Sequence, residues 1–468
     1  DGNGGITDQN VTYSLSGADA AFFNISGSGN LAFVNAPDKF NAKDANKDNV
    51  YEVTVTADNG SAQNNTAAQQ IQIYLFPSTN NDLGNSAELN NFFGRSNSGS
   101  EWFGAAVAVN GSGSVMAMGA PSANGATVFE PSGGYTRLVE WTNQGWQLRG
   151  NLIFGGSRSE RSGQSVDLDN SGNVLAIGAF TYNGTGVDRA GAVRVYFWNG
   201  TEWVQRGQVI EGSTQDGQFG YSLSLSANGN ILAVGANFHD HNGQDKTGSV
   251  RVYQWDGLTW VPMGQEFVGA AGDQMGRGVS LDPLGRILAI GAANFSDTNT
   301  GYVKVFEWNG TSWVARGNDI VGIDTDDLLG YTLSLDGDGS TLVVGAPFND
   351  DPKPRTGYVR VYQWNGSSWS TKGGIIRATD FDEGAFGFSV DISADGDVIA
   401  VGAREYGQNE EGRTLVYQWS SGNWTKVFDK TGNPTDRAFG YSVSLSQDAR
   451  ILSVGVPFSD FRKCSRQN

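Results

Sequence analysis

The stretch Gly248-Ser-Val-Arg-Val-Tyr-Gln-Trp255-Asp-Gly-Leu-Thr-Trp260 carries the pattern that decides the fold. Apolar and polar side chains alternate up to the first tryptophan, as in a β-strand with one buried face. Asp256-Gly257 then provides a tight turn, because both residues tolerate the positive φ angles that such hairpins need. The stretch is therefore predicted to be a β-hairpin with one tryptophan on each arm.

The same hairpin recurs along the chain. Twelve of the 13 tryptophans form six pairs of identical spacing, and the pairs recur every 53 to 57 residues, a period typical of repeat architectures. We interpret these tryptophans as core and cross-strand packing residues, with stacking against sugars as the alternative. The pairs are Trp141/Trp146, Trp198/Trp203, Trp255/Trp260, Trp308/Trp313, Trp364/Trp369 and Trp419/Trp424.

Each repeat holds a second hairpin upstream of the tryptophans. Its first strand begins with an apolar residue and glycine, as in Phe219-Gly220, and its second ends in Gly-Ala, as in Gly235-Ala236. The second strands are almost wholly apolar, which is typical of strands buried on both faces. The repeated glycines indicate places where backbones come close together. Four strands per repeat, arranged radially, predict a β-propeller.

We therefore predict an all-β protein with a seven-bladed β-propeller over residues 92–468, because the upstream hairpin occurs seven times. The tryptophan hairpin occurs six times, so the last blade is expected to be incomplete. A naturally shorter blade, closure by the segment 78–101 or a truncated chain would each account for this. Residues 1–77 contain short strand patterns that predict a small β-sandwich, and residues 78–91 read as a linker.

Two resemblances to known families follow from these motifs. The repeats, with Gly119-Ala120-Pro121 and Gly345-Ala346-Pro347, resemble the FG-GAP repeats of integrin α-subunit-type propellers over roughly four-fifths of the chain. The stretch from Thr12-Tyr-Ser-Leu through Asp44 to Asp58 resembles bacterial cadherin-like repeats, which are cadherin/Ig-like sandwiches. The two modules together imply a location outside the cell or at its surface.

Both resemblances imply calcium, which oxygen ligands at alternate positions suit. The FG-GAP pattern places its best candidate loop at Asp391, Asp395 and Asp397. The closing acidic position of that pattern is apolar in every copy, so most copies are expected to be plain turns. The cadherin-like pattern maps onto Asp38, Asp44 and Asp58, although Asp38-Lys-Phe-Asn41 lacks the acidic residue of the family's Asp-Phe-Glu triplet.

Composition narrows the partners. The formal charge of −18 over 468 residues argues against nucleic acid and anionic membranes. No run of 18 apolar residues occurs in the sequence, so we expect no membrane insertion. The single cysteine, Cys464, allows no internal disulfide bond.

No catalytic motif stands out, and we predict a protein that is not an enzyme. The only histidines, His239 and His241, share a loop with carboxylates and could hold a transition metal, or they could lie in a plain exposed loop. The loops that lead into the blades are acidic and should gather on one propeller face. That face would bind a ligand, or the charge would serve solubility. The predicted face residues, besides the two histidines, are Asp216, Asp273, Asp324, Asp326, Asp380 and Asp382.

The sequence thus favours an extracellular, non-catalytic adhesion protein whose propeller face binds a glycan or a cell-surface protein. A structural component of a surface layer or extracellular matrix is one alternative. An accessory part of a polysaccharide-acting enzyme is the other, and a carboxylate pair about 5–9 Å apart would support it.

Overall fold

A computed structural model describes residues 101–458, apart from 125–131, 185, 294–299, 352, 379–383 and 434–436, together with residues 92 and 94 and six short strands nearer the N-terminus. The described residues contain no α-helix, so none of them could cross a membrane as a helix. Strand β1 pairs with β4, and β2 with β3, each antiparallel. The sandwich predicted for residues 1–77 falls mostly outside the described residues. The six strands are β1 (Thr12–Ser16), β2 (Phe23–Ile25), β3 (Leu31–Phe33), β4 (Thr54–Asp58), β5 (Gln72–Leu75) and β6 (Ala87–Glu88).

Six blades confirm the predicted β-propeller. In each blade four strands pair antiparallel in chain order, and the first four blades add a short fifth strand that pairs with the third. Blades one to three contain β7 (Ala106–Val109), β8 (Val115–Ala120), β9 (Tyr135–Thr142), β10 (Gly145–Leu148) and β11 (Ile153–Phe154); β12 (Ser162–Leu168), β13 (Val174–Ala179), β14 (Ala192–Trp198), β15 (Trp203–Gln205) and β16 (Ile210–Glu211); and β17 (Ser222–Leu225), β18 (Ile231–Ala236), β19 (Ser249–Trp255), β20 (Trp260–Pro262) and β21 (Phe267–Val268). Blades four to six contain β22 (Met275–Leu281), β23 (Ile287–Ala292), β24 (Tyr302–Trp308), β25 (Trp313–Ala315) and β26 (Ile320–Val321); β27 (Thr332–Leu335), β28 (Thr341–Ala346), β29 (Tyr358–Trp364) and β30 (Trp369–Thr371); and β31 (Phe386–Ile392), β32 (Val398–Ala403), β33 (Arg413–Ser420) and β34 (Asn423–Thr431).

The Gly-Ala ends of the second strands are the close approaches that the sequence predicts. A Cβ atom on Gly235 would lie 2.2 Å from the carbonyl oxygen of Gly276 in the next blade. Side chains cannot fit at that separation, so only glycine lets the two blades touch through their backbones. The apolar residues that precede these glycines are buried on both faces of the sheet, as in β23, where every residue is buried.

The tryptophan pairs are packing residues, as interpreted from their spacing. The two partners of each pair face one another across the hairpin, as Trp255 and Trp260 do with ring centroids 5.5 Å apart. The second tryptophan also reaches the preceding blade, because Trp260 Nε1 donates to the Arg206 carbonyl at 3.0 Å. The Arg206 guanidinium lies over the Trp255 ring, 4.7 Å from its centroid. The same bond joins five of the six pairs to the preceding blade, and Trp146 of the first pair is the exception.

One more sheet lies between the sixth blade and the first. Strands β35 (Ser442–Leu445) and β36 (Ile451–Gly455) continue the repeat, and β36 pairs antiparallel with β5, which pairs with β6. Ser442 Oγ donates to the Gly104 carbonyl of the first blade at 2.9 Å. The inner strands of the six blades and β35 are successive neighbours around a ring, which encloses a channel.

Candidate functional site: the channel and its loop face

A ring of small polar side chains lines the channel. The same position of each inner strand carries a serine or an aspartate, except for Ala108 in the first blade. Each of these groups bonds to the next inner strand, as Ser224 Oγ does by accepting from Leu281 N at 3.0 Å. The ring closes from the end of the chain to its first blade, since Ser444 Oγ accepts from Val109 N at 3.2 Å. The polar members are Asp167, Ser224, Ser280, Ser334, Asp391 and Ser444.

Two members of this ring are half-buried carboxylates. Asp167 Oδ2 accepts from Leu225 N and Asp391 Oδ2 from Leu445 N, each at 2.7 Å. Burial raises the pKa of Asp167 to about 7, against the hydrogen bonds from Leu225 and Leu168, and the negative charge of Asp391 adds to the rise. Burial also raises the pKa of Asp391. A cavity of about 180 Å³ lies in this half of the channel.

The loops that lead into the blades, here called the leading loops, share a strained backbone. The upstream hairpin of each repeat begins with a residue followed by glycine, as in Phe219-Gly220. In every leading loop the residue just before this pair is not glycine, yet its φ lies between 50° and 65°. Such a conformation costs a residue with a Cβ about 1 kcal/mol or more, and strain of this kind clusters at ligand clamps and switch regions. The seven residues are Trp102, Arg161, Gln218, Gln274, Leu328, Ala385 and Ala438.

Aromatic rings and arginines form a closed belt at the channel mouth, on the side of the leading loops. Successive ring centroids lie 5.1 to 5.9 Å apart through Trp102, Phe458, Tyr441, Phe388 and Tyr331. Arg277 and Arg161 complete the circle. Arg277 stacks on Tyr331 and Tyr221, and Arg161 lies over Phe180 and Trp102. The aromatic–arginine belt comprises Trp102, Arg161, Phe180, Tyr221, Arg277, Tyr331, Phe388, Tyr441 and Phe458.

The predicted acidic residues of the leading loops have different surroundings. Asp273 is buried, and its Oδ2 accepts from the Tyr302 hydroxyl at 2.5 Å and from Ala270 N at 2.8 Å, so it holds the loop in place. Asp216 is half-exposed and paired with Arg189 at 3.1 Å. Asp324 and Asp326 are exposed on the face. Asp380 and Asp382 lie outside the described residues.

The histidine loop differs from the plain exposed loop that was one of the two sequence interpretations. His239 is buried rather than exposed, with Nδ1 2.9 Å from Thr214 Oγ1, and burial lowers its pKa. The ring of His241 lies 6.0 Å from that of His239. No group of three or more histidine, cysteine or acidic side chains able to hold a metal occurs within the described residues. The buried, neutral-leaning His239 therefore contributes to the packing of its loop.

The structure does not bring the predicted FG-GAP calcium ligands together. Asp391 belongs to strand β31 and bonds within the channel, where its Oδ1 accepts from Ser334 Oγ at 2.8 Å. Asp395 accepts from Ser393 Oγ inside its own turn, and Asp397 pairs with Lys372 Nζ at 2.8 Å. Of the cadherin-like candidates, Asp38, Asp44 and the side chain of Asp58 lie outside the described residues.

A second cavity, of about 720 Å³, opens on the opposite face beside the turns of blades five and six. Two carboxylate pairs, one tryptophan and several amide and hydroxyl groups line it. Some of these carboxylates accept hydrogen bonds within their own turns. Asp336 Oδ1, for example, accepts from Ser340 N and Thr341 N, both at 2.9 Å. The acidic and aromatic lining residues are Asp336, Asp338, Asp395, Asp397 and Trp419.

Sequence reasoning missed Arg277 and the belt around it. The residue after the apolar-Gly pair is Tyr221, Tyr331 or Tyr441 in three repeats and Phe388 in another, and Arg277 takes the same place in the fourth blade. Aligning the repeats on these apolar-Gly pairs would have shown that aromatic residues recur at the next position and that Arg277 is the exception.

In comparisons with known proteins, no family model matches the chain and no curated protein matches it significantly.

Proposed function

We propose that the chain is an extracellular, non-catalytic adhesion or ligand-binding protein that presents the leading-loop face of its propeller to a glycan or a cell-surface protein. The observation that carries this proposal is the aromatic–arginine belt at the channel mouth. Aromatic rings and arginines are enriched at binding sites, because they supply large contact area together with fixed hydrogen-bond donors. Strained residues surround the belt in every leading loop, which fits a preorganised site.

The architecture in this proposal is an FG-GAP-type seven-bladed propeller preceded by a cadherin-like sandwich. The sheet of β35, β36, β5 and β6 would be the seventh blade, with residues from before the first blade supplying its outer strands. Pairing of β5, which precedes the first blade, with β36, which follows the sixth, would close a rigid ring. Loops on such a ring can hold a fixed geometry. Calcium at the sandwich, on Asp38, Asp44 and Asp58, belongs to the same proposal.

A glycan and protein array tests the function. The purified chain is applied in calcium-containing buffer, beside a variant with charge reversal at Asp324 and Asp326, both exposed on the proposed face. We expect a focused set of hits whose intensity changes in the variant. Identical hits for both proteins would show that the leading-loop face does not bind the ligand. A blank array would favour a structural role.

The second candidate is an accessory part of a polysaccharide-acting enzyme, which the cavity of about 720 Å³ favours because carboxylates and a tryptophan meet there. Release of sugars from a polysaccharide panel, abolished by Asp338→Asn and Asp395→Asn together, would support it. Activity that survives both substitutions would count against it.

A further inference from the structure

Arg277 occupies a position at which four other repeats carry an aromatic residue. Its guanidinium carbon lies 3.9 Å from the ring centroid of Tyr331 and 4.4 Å from that of Tyr221, so two tyrosines hold it. The guanidinium also interacts with the hydroxyls of Tyr221 and Tyr331, and because it carries five N–H donors it can still bond a further partner. The side chain is partly exposed, so a molecule from solvent can reach it.

No carboxylate within the described part of the chain forms an ion pair with Arg277. Other arginines of this acidic protein, such as Arg413 and Arg251, have acidic partners at 2.6 and 2.9 Å. Because Arg277 is held in place by two tyrosines but has no carboxylate partner among the described residues, its positive charge is available to an external anion.

The groups around Arg277 are donors as well. Burial raises the pKa of Tyr441 to about 12, with Tyr221 and Tyr331 adding to the rise while Arg404 and Arg277 oppose it. These effects require the five groups to converge, although they come from five different repeats. Among the described residues no carbonyl or carboxylate accepts from the hydroxyls of the three tyrosines. The mouth therefore offers hydroxyl and guanidinium donors to an oxyanion.

We propose that the channel mouth binds the carboxylate or sulfate group of an acidic sugar, with Arg277 as the anion-binding residue and the belt aromatics against the sugar ring. This inference rests on the proposed function, because it names the ligand class of the same face. A planar guanidinium matches a carboxylate through two parallel hydrogen bonds, and aromatic faces suit the apolar side of a sugar.

The net charge of −18 limits how such a ligand is held. A long polyanion laid across the rim would meet exposed carboxylates such as Asp324 and Asp326, whereas a chain end would meet Arg277 at the centre. At 0.15 M salt, charges more than about 8 Å apart are largely screened, so a terminal acidic sugar in the mouth would be repelled only by carboxylates within about that distance.

Isothermal titration calorimetry at 0.15 M salt tests the inference with three probes: trigalacturonate, its methyl ester and a galactose trisaccharide carrying 6-sulfate. The methyl ester keeps the sugars and removes the charge. We expect trigalacturonate or the sulfated sugar to bind at least tenfold more tightly than the ester, and the better of the two identifies the anion. Arg277→Gln should weaken that binding at least tenfold, and Arg277→Lys should weaken it less.

Arg450→Gln is the matched control, because Arg450 is exposed in a turn of the opposite face, paired with Asp448 at 3.2 Å. It should bind like the wild type, and urea midpoints confirm that each variant is folded. Equal binding of all three probes, absence of binding, or tight binding unaffected by Arg277→Gln and Arg277→Lys would each overturn the inference. Neutral glycans captured on the array would then leave the proposed function standing, whereas a blank array would remove both.

Discussion

Replacing Asp167 by serine should change how the stability of the propeller depends on pH. Four other inner strands carry serine at this position, and Ser224 Oγ accepts the same kind of hydrogen bond that Asp167 Oδ2 accepts from Leu225 N. The substitution therefore keeps the bond that joins the second blade to the third. It removes a carboxyl group that must lose a proton inside the channel.

The magnitude follows from the pKa of Asp167, which burial raises from 3.8 to about 7. Because the folded state holds this proton more tightly than the unfolded state, protonation stabilises the fold, and that stability is lost as the pH rises from about 4 through 7. A tenfold change in proton affinity corresponds to about 1.4 kcal/mol, so the ionised group costs about 4 kcal/mol at pH 8. We expect the stability of Asp167→Ser, relative to wild type, to rise by about this amount between pH 4 and pH 8.

Urea unfolding followed by tryptophan fluorescence at pH 4, 6 and 8 measures this difference. Asp167→Ser also leaves Leu168 N without its acceptor, which shifts the curve by a constant amount of about 1–3 kcal/mol but does not change its slope. Ser224→Ala is the control, since it alters the same ring without removing a titrating group. If Asp167→Ser and wild type had parallel pH dependences, the raised pKa of the Asp167 carboxyl group in the folded state would be refuted.

Three further predictions concern the scaffold. Gly207→Ala should destabilise the fold by more than about 2 kcal/mol, because φ is +81° and the new Cβ would lie 2.7 Å from Trp255 Cζ3. Gly200→Ala is the control, because Gly200 has φ +102° but no neighbouring atom near its Cβ position. It should cost only about 1 kcal/mol in the same urea titration. Ala449→Gly should stabilise by about 0.5–1 kcal/mol, since Ala449 has φ 54° where the other repeats have glycine, and an unchanged or lower midpoint would count against the strain. EDTA should leave the calorimetric transition of the propeller unmoved, because Asp391, Asp395 and Asp397 bond in different directions; a shift of that transition would restore a calcium site there.

The sequence predicted the blades because their signals are local. Asp256-Gly257 between two alternating segments determines a hairpin, and the period of the tryptophans repeats it around the ring. Gly235 was expected at a crowded position and lies at one, since its neighbours in sequence already mark a strand buried on both faces. Six blades needed no information beyond these short stretches.

Features that depend on distant parts of the chain could not be predicted in the same way. Strand β5 carries no tryptophan motif, so nothing in its four residues indicates that it pairs with β36. Asp391 looks like the first ligand of a calcium loop, yet β31 extends to Ile392 and turns its carboxylate into the channel. Asp273 and Asp324 look alike in sequence, and only the hydroxyl of Tyr302 makes the first a buried structural group.

The claim that the leading-loop face is the binding surface is tested most directly by one comparison on a glycan and protein array. Wild type is applied beside two variants: Arg277→Gln with charge reversal at Asp324 and Asp326 on the loop face, and Asp338→Asn with Asp448→Asn on the opposite face. We predict that hits of the wild type are weakened by the first variant and kept by the second. Hits that survive the first and disappear with the second would contradict this claim.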